Sequence, residues 1–496
     1  MAARVALSPN DSLWLNMDTP ENLMIIESVM WFEEPLDPEA VLETLRTRLL
    51  APYPVFTWRA ERAEGLVGVD HWVSDPQFDL HRHVTVHELG ATEGHEAIQR
   101  FLEERMSEPL PRDRPLWAAH ILTGERVSAV IMRFHHAIAD GTALVRVLLD
   151  LTTPTPEDPA IGAGPAAPGR PAGRIAQPDH AGPPAEPVPA ARPHASTLDR
   201  AARRLSHLVT LPLAAGAAAT HSAVGLVQML DPDREGSWAW RLAEQAEGTA
   251  DAVDKLLVGT APDALPFGQP GLAKRADWAP AIDLAEIKQV ARSHGATVND
   301  VMMAALAGAL RRYVISRGEV PGDVMTMIPV NLRPWDAPLP EHLGNKFALV
   351  AFELPLGQPT VRSRLTTAKA RMDVIKSGPE AVLTFGLAHA IGSVGAVTGT
   401  VSRQMISFFG NKAFGVTTNV PGPREPRYFA GRQMAGILGW VPGASQQTLG
   451  ACIFSYNGRI RVGFKADATV IPDVANLVAA FTEEVADILA EVTPAQ

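Results

Sequence analysis

The stretch Val127-Ser128-Ala129-Val130-Ile131-Met132-Arg133-Phe134-His135-His136-Ala137-Ile138-Ala139-Asp140-Gly141 decides how this chain is read. Its first eight residues are apolar and β-branched enough for a buried strand. Two adjacent histidines follow, then Asp140 and Gly141, and from Thr142 to Leu151 the apolar residues return at helical spacing. Adjacent strand residues face opposite sides of a sheet, so only one of His135 and His136 can look into a given cavity. Imidazole is the side chain best suited to proton transfer near neutral pH. Asp140 would then fix the loop by pairing with an arginine, and Gly141 would let the backbone pass closely. A plainer reading stands beside this one: a strand end with one satisfied buried histidine, and Asp140 as a helix N-cap.

Outward from this stretch the chain keeps alternating element types. On the N-terminal side, Leu36 to Leu50 carries a helical stripe and Ala97 to Met106 suggests a second helix. On the C-terminal side, Asp283 is placed to cap a helix that ends at Gly295, and Asn299 and Asp300 open another. Strands are expected at Val324 to Val330, Lys346 to Leu354, Gln447 to Tyr456 and Arg459 to Ala466, with a last helix from Asp473 to Leu489. Strands and helices alternating in both halves predict a mixed α/β fold.

Between the halves, Thr153 to Thr197 holds 12 Pro, 11 Ala and 5 Gly in 45 residues. Such a segment cannot bury enough surface to offset its ordering entropy. It predicts a linker at 153–197, with an N-terminal lobe at 1–152 and a C-terminal lobe at 198–496. At roughly 150 residues per domain, 496 residues allow two large domains or three average ones.

Composition removes several classes of function. Asp plus Glu is 55 against 44 Lys plus Arg, a net charge of −11 with no dominant basic run, so a nucleic-acid partner is not expected. The single cysteine, Cys452, excludes a disulfide framework and a multi-thiolate zinc site, and fits a reducing, cytoplasmic compartment. The N-terminus shows no apolar run of signal-peptide type before Pro9, Asn10 and Asp11. Leu208 to Val227 is about long enough to span a bilayer. It is mostly Ala and Gly, though, and includes Pro212 and His221, so it reads as a buried or interface-lying helix.

Other chemistries find little support. His81, His83 and His87 share parity and would line one face of a strand, yet no partner carboxylate stands at clear spacing, so no metal is expected. Gly392-Ser393-Val394-Gly395 lacks the spacing of a nucleophile elbow. Neither a phosphate-cradling P-loop nor a dinucleotide fingerprint is present in the sequence.

His135 to Gly141 matches the HHxxxDG motif of the coenzyme-A-dependent acyltransferase superfamily. Further segments resemble the bacterial wax ester synthase/diacylglycerol acyltransferases. These are Leu7-Ser8-Pro9-Asn10-Asp11 at the N-terminus, Pro115-Leu116-Trp117, Asn299-Asp300, Met327 to Pro334, Asn419-Val420-Pro421-Gly422-Pro423, and Ser455 to Asp473. The resemblance runs over the whole chain apart from the linker. It implies two chloramphenicol-acetyltransferase-like lobes with an active-site tunnel between them. Long-chain acyl-CoA would enter one side and a diacylglycerol or fatty alcohol the other.

In that pattern His136 is the general base, His135, Asp140 and Gly141 support it, and Asn299 is a candidate oxyanion donor. Asp300, Pro115, Leu116 and Trp117 are candidate substrate-binding residues. Arg333, Asn419, Pro421, Gly422 and Pro423 are structural, Arg333 as a candidate partner of Asp140. Acyl-CoA is a substrate, and no cofactor is implied. Each motif also has a plainer reading: Asn299-Asp300 as a cap with an acidic first turn, Pro421-Gly422-Pro423 as a rigid turn, and Trp117 as a packing residue. Lipid acceptors imply peripheral contact with the inner membrane face or lipid droplets, with Leu208 to Val227 and Ala381 to Val416 as candidate segments. Two other functions stay open: transfer from a carrier-bound acyl donor to another alcohol or amine on the same fold, and non-catalytic lipid binding.

Overall fold

The computed structural model describes residues 3–62, 69–90, 94–156, 270–333, 337–377 and 413–491. Leu208 to Val227, most of the 153–197 segment, Gly392 to Gly395 and nearly all of Ala381 to Val416 lie outside these residues. Among the described residues no helix is long and apolar enough to cross a membrane.

Two sheets carry the architecture, and both are mixed, as the alternating pattern predicts. The strands of the first are β1 (Ile25–Phe32), β2 (Val84–Glu88), β3 (Trp117–Thr123) and β4 (Ser128–His135). The main strands of the second are β5 (Lys274–Trp278), β6 (Val324–Asn331), β7 (Phe347–Leu354), β8 (Gly415–Pro421), β10 (Leu449–Tyr456) and β11 (Arg459–Asp467), with the short Ile282–Asp283 pairing at the edge of the last. Between β8 and β10 in the chain comes β9 (Gly436–Trp440), which leaves its own half and pairs antiparallel with β1. The first sheet thus runs β9-β1-β4-β3-β2 and the second β7-β6-β8-β10-β11-β5. The C-terminal half therefore does not keep to a lobe of its own. Leu438, Trp440, Phe454 and Tyr456 belong to the N-terminal core.

Strands β1 and β4 are buried along their full length, so a run of β-branched and aromatic residues suits them where alternation would not. Helices α1 (Pro9–Met17), α2 (Pro38–Thr44), α3 (His95–Met106) and α4 (Gly141–Asp150) belong to the first half. In the second half, α5 (Leu284–Ser293) is capped by Asp283, whose Oδ1 accepts from Ala285 N–H at 2.7 Å. Helix α6 (Val298–Ser316) starts earlier than expected: its cap is Thr297, and Asp300 closes a capping box with it. Helices α7 (Val361–Ser377) and α8 (Val474–Ala490) follow among the described residues.

The halves are clasped by a buried ion pair. Lys465 Nζ on β11 lies 2.8 Å from Glu27 Oε2 on β1, and the Glu27 side chain is fully buried. Removing one partner of such a pair strands the other charge, which typically costs about 3–5 kcal/mol. Lys465→Met is therefore expected to lower the unfolding free energy in urea by about that much. The double variant with Glu27→Met should recover most of it. A loss below about 1 kcal/mol would mean that the pair does not clasp the lobes.

Candidate functional site

Strand β4 delivers the two histidines to opposite sides, as alternation requires. The backbone N–H of His135 donates to Leu116 O on the β3 side at 2.9 Å, and that of His136 to Met24 O on the β1 side at 2.7 Å. Both rings are buried. The Nδ1 of His135 accepts from Ala137 N–H at 3.1 Å, which leaves the proton on Nε2, 3.4 Å from Asp18 Oδ2. Arg112 reaches the same carboxylate. Burial holds the His135 imidazole below its usual pKa, against the pull of Asp18.

His136 faces the other way, into a cavity of about 230 Å³ between the two lobes. Trp14 of α1 stacks on its ring with centroids 3.9 Å apart and planes 13° from parallel, and Phe347 of β7 lies tilted against it at 5.4 Å. Its Nδ1 is 2.9 Å from Asn345 Oδ1, and no described residue bonds Nε2. Burial pushes the His136 pKa down to about 4, only partly offset by hydrogen bonds to its own backbone and to Asn345. The imidazole is therefore neutral near pH 7. Its cavity is walled by apolar side chains of both lobes, among them Ile26, Phe134, Leu144, Met327, Leu349 and Phe454.

Asp140 caps α4, with Oδ1 accepting from Ala143 N–H at 2.8 Å, and its Oδ2 accepts from Lys346 N–H at 2.9 Å. Arg333 approaches that carboxylate only to 4.0 Å at Nη1. It donates instead from Nη2 to Leu343 O at 2.9 Å. The arginine thus supplies nearby charge and pins the 343–346 loop, while the hydrogen bond expected of it comes from a backbone amide. Gly141 is not a point of close backbone passage: a Cβ there would meet only Val441 Cγ1, at 3.9 Å. It faces the cavity, where a side chain would take up space.

The remaining expected site residues fall elsewhere. Pro115, Leu116 and Trp117 do not line the cavity. Trp117 is a core residue, donating from Nε1 to Phe56 O at 2.7 Å and stacked on His83 at 4.7 Å. Asn299 also lies outside the cavity wall, and its Oδ1 accepts from Asn419 Nδ2 at 2.8 Å. Asp300 closes the capping box of α6, with Lys376 at 3.5 Å, and does not line the cavity. Asn419 does line the cavity. Gly422 is required where it stands, because a Cβ would lie 2.3 Å from Ser455 O.

His81, His83 and His87 do not share a strand face. His81 sits in a short turn, His83 lies against Trp117, and only His87 is on β2. Among the described residues no cluster of three His, Cys, Asp or Glu could hold a metal. Trp14, Asn345 and Phe347 were not legible from motif spacing. Asp11 is reached from the sequence only through the N-terminal motif that contains it.

Two family models match the chain: the wax ester synthase/diacylglycerol acyltransferase catalytic domain over residues 7–302, and the WS/DGAT C-terminal domain over residues 343–489. A probable diacylglycerol O-acyltransferase, tgs1, of Mycobacterium tuberculosis is 26% identical over 92% of this chain and 88% of its own. A putative diacylglycerol O-acyltransferase of the same species, Rv1760, is 24% identical over 98% and 91%. The fold is shared with the wax ester synthase/diacylglycerol acyltransferase of Marinobacter aquaeolei VT8, at TM-score 0.63 and 18% identity over 98% of this chain and 100% of that one. It is shared too with the first condensation domain of the calcium-dependent antibiotic synthetase, at TM-score 0.57 and 17% identity over 100% and 98%. With its catalytic and C-terminal segments both matched and His136 set between the lobes they form, the chain belongs to the wax ester synthase/diacylglycerol acyltransferase family.

Proposed function

We propose that this chain moves a long-chain acyl group from acyl-CoA to the hydroxyl of a diacylglycerol or a long-chain fatty alcohol, with His136 as general base. The observation that carries this reading is the neutral imidazole of His136, tied through Nδ1 to Asn345 and set on an apolar cavity between the lobes. The names of the mycobacterial relatives and of the Marinobacter protein support the acyl chemistry and both acceptor types. The starter condensation domain of rhizomide synthetase, a fold neighbour at TM-score 0.56 and 15% identity, has been captured with C8-CoA, in keeping with a CoA thioester as donor.

In this scheme His136 Nε2 takes the hydroxyl proton as the alcohol oxygen bonds to the thioester carbonyl carbon. The tetrahedral intermediate collapses with cleavage of the C–S bond. The imidazolium then returns its proton to the departing CoA thiolate. Every proton is carried by one residue, so the scheme calls on no metal or cofactor. General-base help of this kind is typically worth ~10²–10⁴-fold. Cys452 also lines the cavity, but burial raises its pKa and keeps it a thiol, which favours direct transfer over an acyl-cysteine intermediate. Peripheral contact with a membrane or lipid droplet would bring the acceptor to the cavity.

The first test is CoA thiol release from palmitoyl-CoA with hexadecanol or a diacylglycerol offered in turn. Acceptor-dependent release is expected, falling by ~10²–10⁴ in His136→Ala. Folded protein that releases thiol with neither acceptor would overturn the reading in favour of a carrier-bound donor or of lipid binding. The pH profile gives a second check. The base must be neutral, and burial places the pKa of His136 at about 4, so the acid limb of kcat/KM is expected near pH 4. A limb near the ordinary histidine value of about 6.5 would show that burial does not hold the pKa of the catalytic base down.

A further inference from the structure

The side-chain amide of Asn345 can sit only one way round. Its Nδ2 donates to Asp11 Oδ1 at 2.8 Å and to the backbone carbonyl of His136 at 2.8 Å. Both partners are acceptors, so both amide protons are used and Oδ1 must be the atom 2.9 Å from His136 Nδ1. An amide oxygen cannot donate. The proton therefore rests on Nδ1, and the lone pair on Nε2. Asp11 is held in turn, accepting from Asn345 N–H at 2.9 Å and from the Ser8 hydroxyl at 2.6 Å. Trp14, one turn further along α1, lies flat on the imidazole and opposes rotation of the ring.

We propose that Asp11 and Asn345 are positioning residues that hold His136 in the Nδ1–H tautomer, the form whose Nε2 can accept the acceptor's hydroxyl proton. Asp140, the carboxylate of the histidine motif, bonds neither His136 nor Asn345 itself; its oxygens accept from the amides of Ala143 and Lys346, so it acts only by seating the loop that carries Asn345. When Nε2 gains the hydroxyl proton, both ring nitrogens carry one, and the bond from Nδ1 to Asn345 persists. Return of the proton to the thiolate restores the starting tautomer. No proton passes to Asn345 or Asp11.

The kinetic arm of this inference rests on the acyl-transfer reading; the spectroscopic arm does not. The full chain labelled with ¹⁵N-histidine, with His136→Gln to assign the signal, should show at pH 7 a protonated Nδ1 and an unprotonated Nε2. Asn345→Ala should lower kcat by about 10–100-fold, leave KM for palmitoyl-CoA within about twofold, and turn the signal into a mixture of tautomers. Asp11→Asn, whose amide gives Asn345 freedom to reverse, should show the same spectral change with a smaller loss of kcat.

A merely structural role would lower Tm in both variants and leave the tautomer untouched. A wild-type His136 protonated on Nε2 overturns the proposal, whether or not the variants fold and whichever acceptor is used. So does Asn345→Ala with wild-type kcat. Failure of the acyl-transfer reading would instead appear as wild-type protein that releases no thiol while keeping the Nδ1–H signal.

Discussion

Asp140 is a buried carboxylate, and a buried carboxylate needs both oxygens answered by donors. One answer is local, from the first turn of α4. The other is the amide of Lys346, which belongs to the opposite half of the chain. That second bond sets the 343–346 loop against the histidine turn, where Gly344 N–H also donates to Ile138 O at 3.1 Å and Ala139 bridges Gly344. Asn345, fixed between them, then has nowhere to point but at His136. The bonds that orient His136 thus cross from one half of the chain to the other, and the loss of the carboxylate–amide bond at the seam would loosen the loop that carries Asn345.

Environment divides the labour between two neighbouring residues of one type. His135 accepts through Nδ1 from a backbone amide and turns its Nε2–H toward Asp18, so its lone pair is spent on structure. His136 has the reverse arrangement, with Nδ1 committed and Nε2 free of described partners. Both imidazoles are held neutral by burial, which is far less costly than burying a carboxylate base without a partner. The apolar wall of the cavity contributes to the burial that keeps His136 unprotonated.

Local grammar carried much of the fold into view. The buried run ending at Phe134, the Asp283 cap and the strands after Val324 and Arg459 follow from periodicity and end signals that act over a few residues. The misreadings come where partners are distant. Asn345 and His136 are 209 residues apart, and nothing in the spacing around either one announces the other. Strand β9 reads as a short apolar run, and only the open edge of β1 gives it a place in the N-terminal sheet. At α6 the competing rule was capping. Thr297 and Asp300 satisfy each other's backbone amides, which starts the helix at Val298, before the pair from which the sequence opens it.

The recurring motifs away from the histidines also have a joint physical role. Asn419 Nδ2 donates to Asn299 Oδ1, so the strand entering the Pro421-Gly422-Pro423 turn is tethered to the first turn of α6. At the other end of that turn, Gly422 N–H donates to Ser455 O at 2.8 Å, an approach that only glycine permits. Between these two ties lie Thr418, Asn419 and Val420, which form part of the cavity wall. These two ties therefore help to set where β8 stands beside the cavity that His136 faces. Substitutions at Asn299 or Gly422 accordingly act first on the shape of the cavity wall.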